Sequence, residues 1–316
     1  MIRPWETLMA LLDFRRPLRR AFAPGPAPLA SFLQGWSLEV MPRTAAKIPD
    51  FRTLLPAGTR VYIAHIAATE PAEMVATAVR LRREGFEPMP HIPARVIPDR
   101  ATLADLVARY RGEAGVRQAL LLGGSPVRPA GAFHSSMQLI ETGLFDGFDR
   151  LHVAGHPEGN RDIDPSGGEA GVMAALRWKA AFAERTDAAM AVVTQFAFDA
   201  APVIGWAERL RAAGFALPIH VGLAGPAKLQ TLIRFAVACG VGPSLKVLQR
   251  RARDVTKLVT PFAPTELAGQ LAAHKAAHPE SLIAAAHLFP LGGIGAAADW
   301  AHEQGGAAAG PAVREG

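Results

Sequence analysis

From residue 36 onward, short β-rich runs alternate with helical stretches about eight times, and this alternation restricts the fold more than any single motif. The runs are WSLEV, VYIAHI, PMPHI, QALLL, LHVA, AVVTQF, PIHVG and LIAAAHLF. They end near Val40, Ile66, Ile92, Leu122, Ala154, Gln195, Gly222 and Phe289. Between them lie patterns such as EPAEMVATAVRLRREG and APVIGWAERLRAAG. Each carries a cationic last turn followed by a glycine, Gly85 or Gly214, the usual C-terminal stop of a helix. Strands separated by helical crossovers pair in parallel, in an open doubly wound sheet or a closed barrel. Eight units in about 270 residues predict the closed form, an α/β fold of the (β/α)₈ type.

The expected plan has three parts. Residues 1–30 form an N-terminal extension: MIRPWETLMALLDFRRPLRR reads as a short basic amphipathic helix, and AFAPGPAPLA as a Pro/Ala linker. Residues 31–304 form the barrel. Its last crossover, roughly 226–280, holds several helical segments: AKLQTLIRFAVACG, PSLKVLQRRARDVTKLV and PTELAGQLAAHKAAH. Residues 305–316, GGAAAGPAVREG, read as a disordered tail.

Composition narrows the function. Half of the 316 residues are hydrophobic and a fifth are charged, which excludes a mainly disordered chain. The net charge is +6, and half of it comes from five arginines in residues 1–28 set against Glu6 and Asp13. The barrel's own excess is too small to argue for nucleic acid and suits a small anionic substrate. Cys239 is the single cysteine, so an intrachain disulfide and a Cys-rich zinc or iron–sulfur site are excluded. A reducing, cytoplasmic setting is expected, since residues 1–30 show no signal-peptide pattern. The apolar stretch Leu282–Ala298 is interrupted by His287, Pro290 and three glycines, so no membrane span is expected.

In a (β/α)₈ barrel the chemistry sits at the C-terminal strand ends. Glu39 lies inside the first strand, where burial raises a carboxyl pKa and prepares a general acid. The alternative is an ion pair with Arg43 or Arg95 at the rim. His91 ends the third strand. Gln195 ends the sixth and offers both a donor and an acceptor to a heterocycle edge. Lys179 precedes that strand as a lone lysine. Gly293, Gly295 and Ala298 superficially match a dinucleotide fingerprint, but no βαβ unit with a downstream acid follows. That loop reads instead as a helix N-terminus suited to phosphate. Gly123 and Gly124 in LLGGSP permit either close ligand approach or a tight turn. His152 and His156 span a strand and its loop, with no acidic cluster, so no metal site is expected. GGSP is no nucleophile elbow.

Seven strand-end segments, SLEVMP, PHIPAR, LLGGSP, VAGHPEG, TQFAFD, HVGLAGPAKLQTLIRFA and HLFPLGG, occur in an order that resembles the methylenetetrahydrofolate reductase family over most of residues 36–300. The resemblance implies a flavin-dependent barrel enzyme. It would interconvert 5,10-methylene- and 5-methyl-tetrahydrofolate using FAD and NAD(P)H. It implies that Glu39 assists protonation at the folate N10 and that Gln195 hydrogen-bonds the pterin, with Phe196 and Leu229 beside it. His91, Gly123 and Gly124 would face the flavin. The loop Gly155, His156, Pro157 and Glu158 would face its ribityl and phosphates, and Lys179 its phosphates. The family is commonly oligomeric, which points to a homo-oligomer or a partner subunit.

The sequence departs from the family at four strand ends. Leu122, Gly123 and Gly124 replace the usual Arg-Gly-Asp, so the Asp near the flavin is missing. His156 stands for a Tyr, Leu229 for a Phe, and HLFPLGG for a Thr-Leu-Asn ending. Loss of the Asp anion eases formation of a reduced, anionic flavin and motivates an alternative, oxidation of 5-methyltetrahydrofolate in methyl-group catabolism. The four departures together motivate another, a catalytically silent folate- or flavin-binding partner subunit.

Overall fold

The computed structural model describes residues 27–66, 69–239, 248 and 261–307. The expectations for residues 1–26, for most of 243–259 and for the tail beyond 307 lie outside these. The strands are β1 (Ser37–Val40), β2 (Arg60–Ile63), β3 (Glu87–Pro93), β4 (Gln118–Leu122), β5 (Arg150–Gly155), β6 (Ala189–Ala197), β7 (Ile219–Ala224) and β8 (Ile283–Phe289). They close in sequence order into one barrel, every neighbouring pair parallel, β8 returning to β1. The expected (β/α)₈ barrel is the observed fold.

The helices around it are α1 (Ala27–Phe32), α2 (Pro42–Ala45), α3 (Pro71–Arg83), α4 (Arg100–Ala114), α5 (Ser136–Glu141), α6 (Ala170–Ala183), α7 (Ala200–Ala212), α8 (Leu229–Ala238), α9 (Thr265–Ala277) and α10 (Ile294–Glu303). Local chemistry sets their ends. Pro71 opens α3, where a missing N–H costs nothing, and Arg80, Arg82 and Arg83 lie in its cationic last turn. The Asp99 carboxylate caps α4 by accepting from the Thr102 N–H at 2.7 Å, and Gly115 ends it in the left-handed conformation. Met74, Val75, Ala78 and Leu81 give α3 the buried stripe that packs on the barrel.

Two boundaries differ from expectation. Helix α1 begins inside the expected linker, because Leu29, Phe32 and Leu33 bury themselves in the main core. Strand β2 ends at Ile63 instead of Ile66.

The outward faces of the strands and the inner faces of the helices form the main core, with Val61, Ile63, Leu121, Val153, Val221 and Leu288 fully buried. The inside of the barrel is different. At its N-terminal end Arg60 Nε donates to Gln118 Oε1 at 3.0 Å, and Gln118 Nε2 donates to Glu87 Oε2 at 3.1 Å. Arg82 completes the network from outside, donating to Glu87 Oε1 at 2.7 Å. Above it Tyr62, Met89, Leu120 and Val193 form a small apolar cluster.

Two details aim side chains at the mouth. The β6–β7 register slips between Val193 and Phe196, and this bulge turns Gln195 outward. The Gly222 N–H donates to Thr194 Oγ1 at 2.9 Å, and a Cβ on Gly222 would sit 2.6 Å from the Gln195 carbonyl.

Candidate active site

Side chains alternate along a strand, so Ser37 and Glu39 of β1 both point into the barrel. The same parity brings in Tyr62 from β2, His91 from β3, His152 from β5, His220 from β7 and His287 from β8. Their rings form a connected group around Tyr62. The ring centroids lie 4.3 Å from His287, 6.0 Å from His152 and 6.2 Å from His91, and His220 lies 4.7 Å from His152.

Glu39 sits at the top of this group. Its Oε2 lies 3.4 Å from His91 Nε2 and 3.7 Å from His287 Nε2. The alternative rim ion pair is not formed: Arg95 donates instead to the His134 carbonyl at 3.1 Å. Burial raises the Glu39 pKa, and the nearby His91 offsets only part of that rise. Burial likewise pushes His91 down to about 4 and His287 to about 3, so both rings are neutral at pH 7. A carboxyl of raised pKa between two neutral imidazoles can release a proton without leaving a charge on a neighbour.

The interior polar groups are incompletely satisfied. His91 Nε2, His152 Nε2, His220 Nδ1 and His287 Nε2 are buried without a hydrogen-bond partner. Each such nitrogen costs about 1–3 kcal/mol, whereas branched aliphatic side chains usually fill this space without that cost. Only Glu39 and His91 of this group stand out from sequence. The others carry a signal in parity: polar residues at alternating positions of strands that should be apolar on both faces.

The remaining site candidates fall into two other places. Phe196 and Leu229 come together in an apolar cluster over β6, β7 and β8, with Phe198, Ala227, Phe262 and Phe289. Both are buried there, Phe196 with its ring 5.4 Å from that of Phe289. Gln195 is exposed beside them, and its carboxamide oxygen accepts from the Phe196 N–H at 3.0 Å.

The other place is the loop after β5. Lys179 on α6 is only 7% exposed, and no acidic partner approaches it among the described residues. Burial lowers its pKa to about 8. His156 lies within its field and is held down to about 4, chiefly by its own burial. Pro157 and Glu158 continue this loop, which closes with the Gly159 N–H donating to the His156 carbonyl at 3.0 Å. Gly155 meets a packing demand: a Cβ there would lie 2.2 Å from Val192 Cγ1 and 2.8 Å from the Trp206 ring.

Gly123 and Gly124 form the loop after β4, with the Arg95 N–H donating to the Gly123 carbonyl at 2.9 Å. Gly124 has φ +90°, and a Cβ would lie 2.9 Å from Pro93 Cβ. The loop thus has a backbone shape that favours glycine at this position. Gly292, in the dinucleotide-like segment, faces the Pro226 carbonyl so closely that a Cβ would lie 2.0 Å away. Its glycine serves loop packing.

No family model matches this chain. Among solved structures it is similar to an uncharacterized protein from Clostridium thermocellum that binds two copies of 5-methyl-5,6,7,8-tetrahydrofolic acid. The TM-score is 0.58 at 10% identity, over 86% of this chain and 95% of that one. At that identity the likeness is one of fold.

Beside His91 a cavity of about 680 Å³ opens between α3 and α4, lined also by His65, Met74, Val96, Leu106 and Tyr110. Its volume is in the range that holds a ring system. Among the described residues no group of three His, Cys, Asp or Glu is placed to hold a metal ion. No described helix is long and apolar enough to cross a membrane.

Proposed function

We propose that this chain binds a reduced folate at the C-terminal mouth of its barrel and interconverts 5,10-methylene- and 5-methyl-tetrahydrofolate. FAD would be the bound cofactor and NAD(P)H the co-substrate. The observation that carries the reading is Glu39, a carboxyl of raised pKa held at the mouth between two neutral histidines. The ordered strand-end resemblance supports it, as does the shared fold of a protein that binds 5-methyltetrahydrofolate.

The chain's own residues would act as follows. Glu39 gives its proton to the folate nitrogen that must leave the one-carbon unit when the imidazolidine ring opens, and takes it back in the reverse direction. His91 and His287 flank one oxygen of the carboxyl, at 3.4 and 3.7 Å. Gln195, exposed by the β6 bulge, offers its carboxamide to the pterin edge. The aromatic cluster around Phe196, with Leu229, makes one wall of the mouth apolar and limits water there.

The residues present fit a flavin at its phosphate end. Lys179 is a buried amine that no acidic side chain approaches among the described residues, and a phosphate would supply the missing charge. Lys179, His156 and the loop through Pro157 and Glu158 would hold that end, and His91, Gly123 and Gly124 the ring. When bound, the flavin supplies the hydride carrier between nicotinamide and folate.

One observation favours a second reading. Gly124 cannot carry an acidic side chain in its present backbone shape, so the loop after β4 presents no anion. That suits preferential oxidation of 5-methyltetrahydrofolate, or folate binding without redox chemistry. The test is to add FAD to the purified protein, remove the excess, and follow flavin absorbance on adding 5-methyltetrahydrofolate. The proposal expects FAD to be retained and bleached, and Glu39→Gln to slow bleaching by about 10²–10⁴-fold. Folate binding without FAD uptake would select the silent reading. A protein that binds neither would contradict both.

A further inference from the structure

We propose that the N-terminal end of the barrel, opposite the mouth, holds a phosphate group between Arg60 and Arg150. The site is separate from Glu39 and does not depend on the function proposed above. Strand parity places its parts. Tyr62, Leu120 and His152 line the barrel interior, so Arg60, Gln118 and Arg150, each two residues earlier on the same strand, line it one layer lower. The β4–β5 register sets Arg150 beside Gln118, and the Gln118 carboxamide holds Arg60, Oε1 accepting from Nε at 3.0 Å. The two arginines thus flank one glutamine.

Their charge is not answered. Glu87 is the acid of this layer, and both of its oxygens are engaged, Oε1 by Arg82 at 2.7 Å and Oε2 by Gln118 at 3.1 Å. Asp149, next to Arg150 in sequence, pairs on the surface with Arg117 at 2.9 Å. Among the described residues neither Arg60 nor Arg150 forms an ion pair with a carboxylate. Both are half-buried, so water screens their mutual repulsion only in part, and each disfavours the charge of the other. Lys275 of α9 adds a further cation at this end, where it donates to the Ala284 carbonyl.

The opposite side of the layer leaves room. Ala189 and Ala191 share the inward face of β6 with Val193, Ala285 shares that of β8 with His287, and His220 pairs with Ala285 across β7 and β8. Branched aliphatic side chains usually fill a barrel at such positions, and here three of the four are alanine. Ala189 is exposed, and Ala285 and His220 are half-buried, so solvent reaches the interior from this end. His220 adds an imidazole with an unpartnered Nδ1 to the same wall. The charge selects the ligand. A guanidinium fork matches two oxygens of a phosphate, and a dianionic phosphate balances two arginines, whereas a carboxylate balances one.

The test is NMR of the full chain labelled with ¹⁵N-histidine and titrated with sodium phosphate, against sodium chloride of equal ionic strength. His220, assigned through His220→Gln, reports this end of the barrel, and His156 separately reports phosphate that goes to Lys179. The expected result is a saturable shift of the His220 signals with phosphate and not with chloride, its affinity at least about tenfold weaker in Arg150→Gln. Thermal unfolding gives a second readout. Phosphate should raise the melting temperature of the wild type more than that of Arg150→Gln. In phosphate-free buffer the variant should be no less stable than the wild type, because it relieves the repulsion between two guanidiniums. Phenyl phosphate identifies the source of the group: binding as tight as that of inorganic phosphate assigns the head of a larger molecule, and weaker binding assigns the free ion. No saturable His220 shift in the wild type, a shift confined to His156, or a His220 response unchanged in Arg150→Gln would overturn the site. An Arg150→Gln variant that melts lower in both buffers and still binds phosphate would mark the arginine as merely structural and overturn it too.

Discussion

A barrel lined with neutral histidines should be acid-sensitive, and the size of the effect follows from the pKa shifts. His91 is held at about 4, His220 and His287 at about 3, and His152 well below its ordinary value, each mainly by burial. In the unfolded chain these rings titrate near pH 6.5. Their folded pKa values are depressed, so the stability is present above the unfolded pKa and is lost as pH falls toward the folded values. At pH 5 the unfolded chain gains about 2 kcal/mol per ring, or about 8 kcal/mol for the four. Glu39 acts in the opposite sense, because its raised pKa lets the folded state take up a proton first. That offsets at most about 3 kcal/mol between pH 7 and pH 5. The net loss is therefore at least about 5 kcal/mol, against a total stability of about 5–15 kcal/mol for an ordinary domain. Urea unfolding followed by circular dichroism across this range measures it directly. His152→Leu should be less stable at pH 7, since it leaves the Tyr62 hydroxyl unpartnered, but its pH dependence should be shallower by about one proton. A stability that stays flat from pH 7 to pH 5 would refute the picture of neutral interior rings.

Three further outcomes are expected. Gly124→Asp should lower stability by about 1–3 kcal/mol in urea unfolding, because its φ of +90° and the nearby Pro93 Cβ oppose any side chain, and it should not improve flavin retention. Gly155→Ala should cost about 1–3 kcal/mol and lower the melting temperature, since its methyl group would overlap Val192 and Trp206. Lys179→Met should raise stability at pH 7 by up to about 3 kcal/mol, because it removes a buried amine whose pKa is held down to about 8. The gain should vanish above about pH 10.5, where the unfolded amine is neutral too, and binding of FAD or inorganic pyrophosphate should fall at least tenfold.

The barrel was legible because its signal is periodic and redundant. Eight apolar runs separated by capped helices leave few topologies, and errors such as the early end of β2 at Ile63 do not change the answer. The site was legible only in part. Glu39 and His91 each stand one residue before the end expected for their strand from sequence, Val40 and Ile92, close to where function is looked for. His287 lies two residues before its strand end, inside an apolar run, and His152 drew attention only through its spacing to His156. What joins them is inward parity around a closed ring, which no local window shows. The bulge at Val193–Phe196 was hidden for a similar reason: the slip is a property of the β6–β7 pairing and not of the β6 sequence. Helix α1 was hidden because Leu29 and Phe32 gain their burial from residues distant in sequence.

The central claim is that the Glu39 carboxyl, its pKa raised by burial at the mouth of this barrel, acts on a reduced folate. Titration calorimetry of 5-methyltetrahydrofolate into wild-type protein and Glu39→Gln tests it most directly. The glutamine keeps the shape and donor of a protonated acid but has no proton to give. The account predicts saturable binding by both, within a few-fold of each other, with folate turnover lost only in the variant. No binding by the wild type, or full turnover by Glu39→Gln, would contradict it.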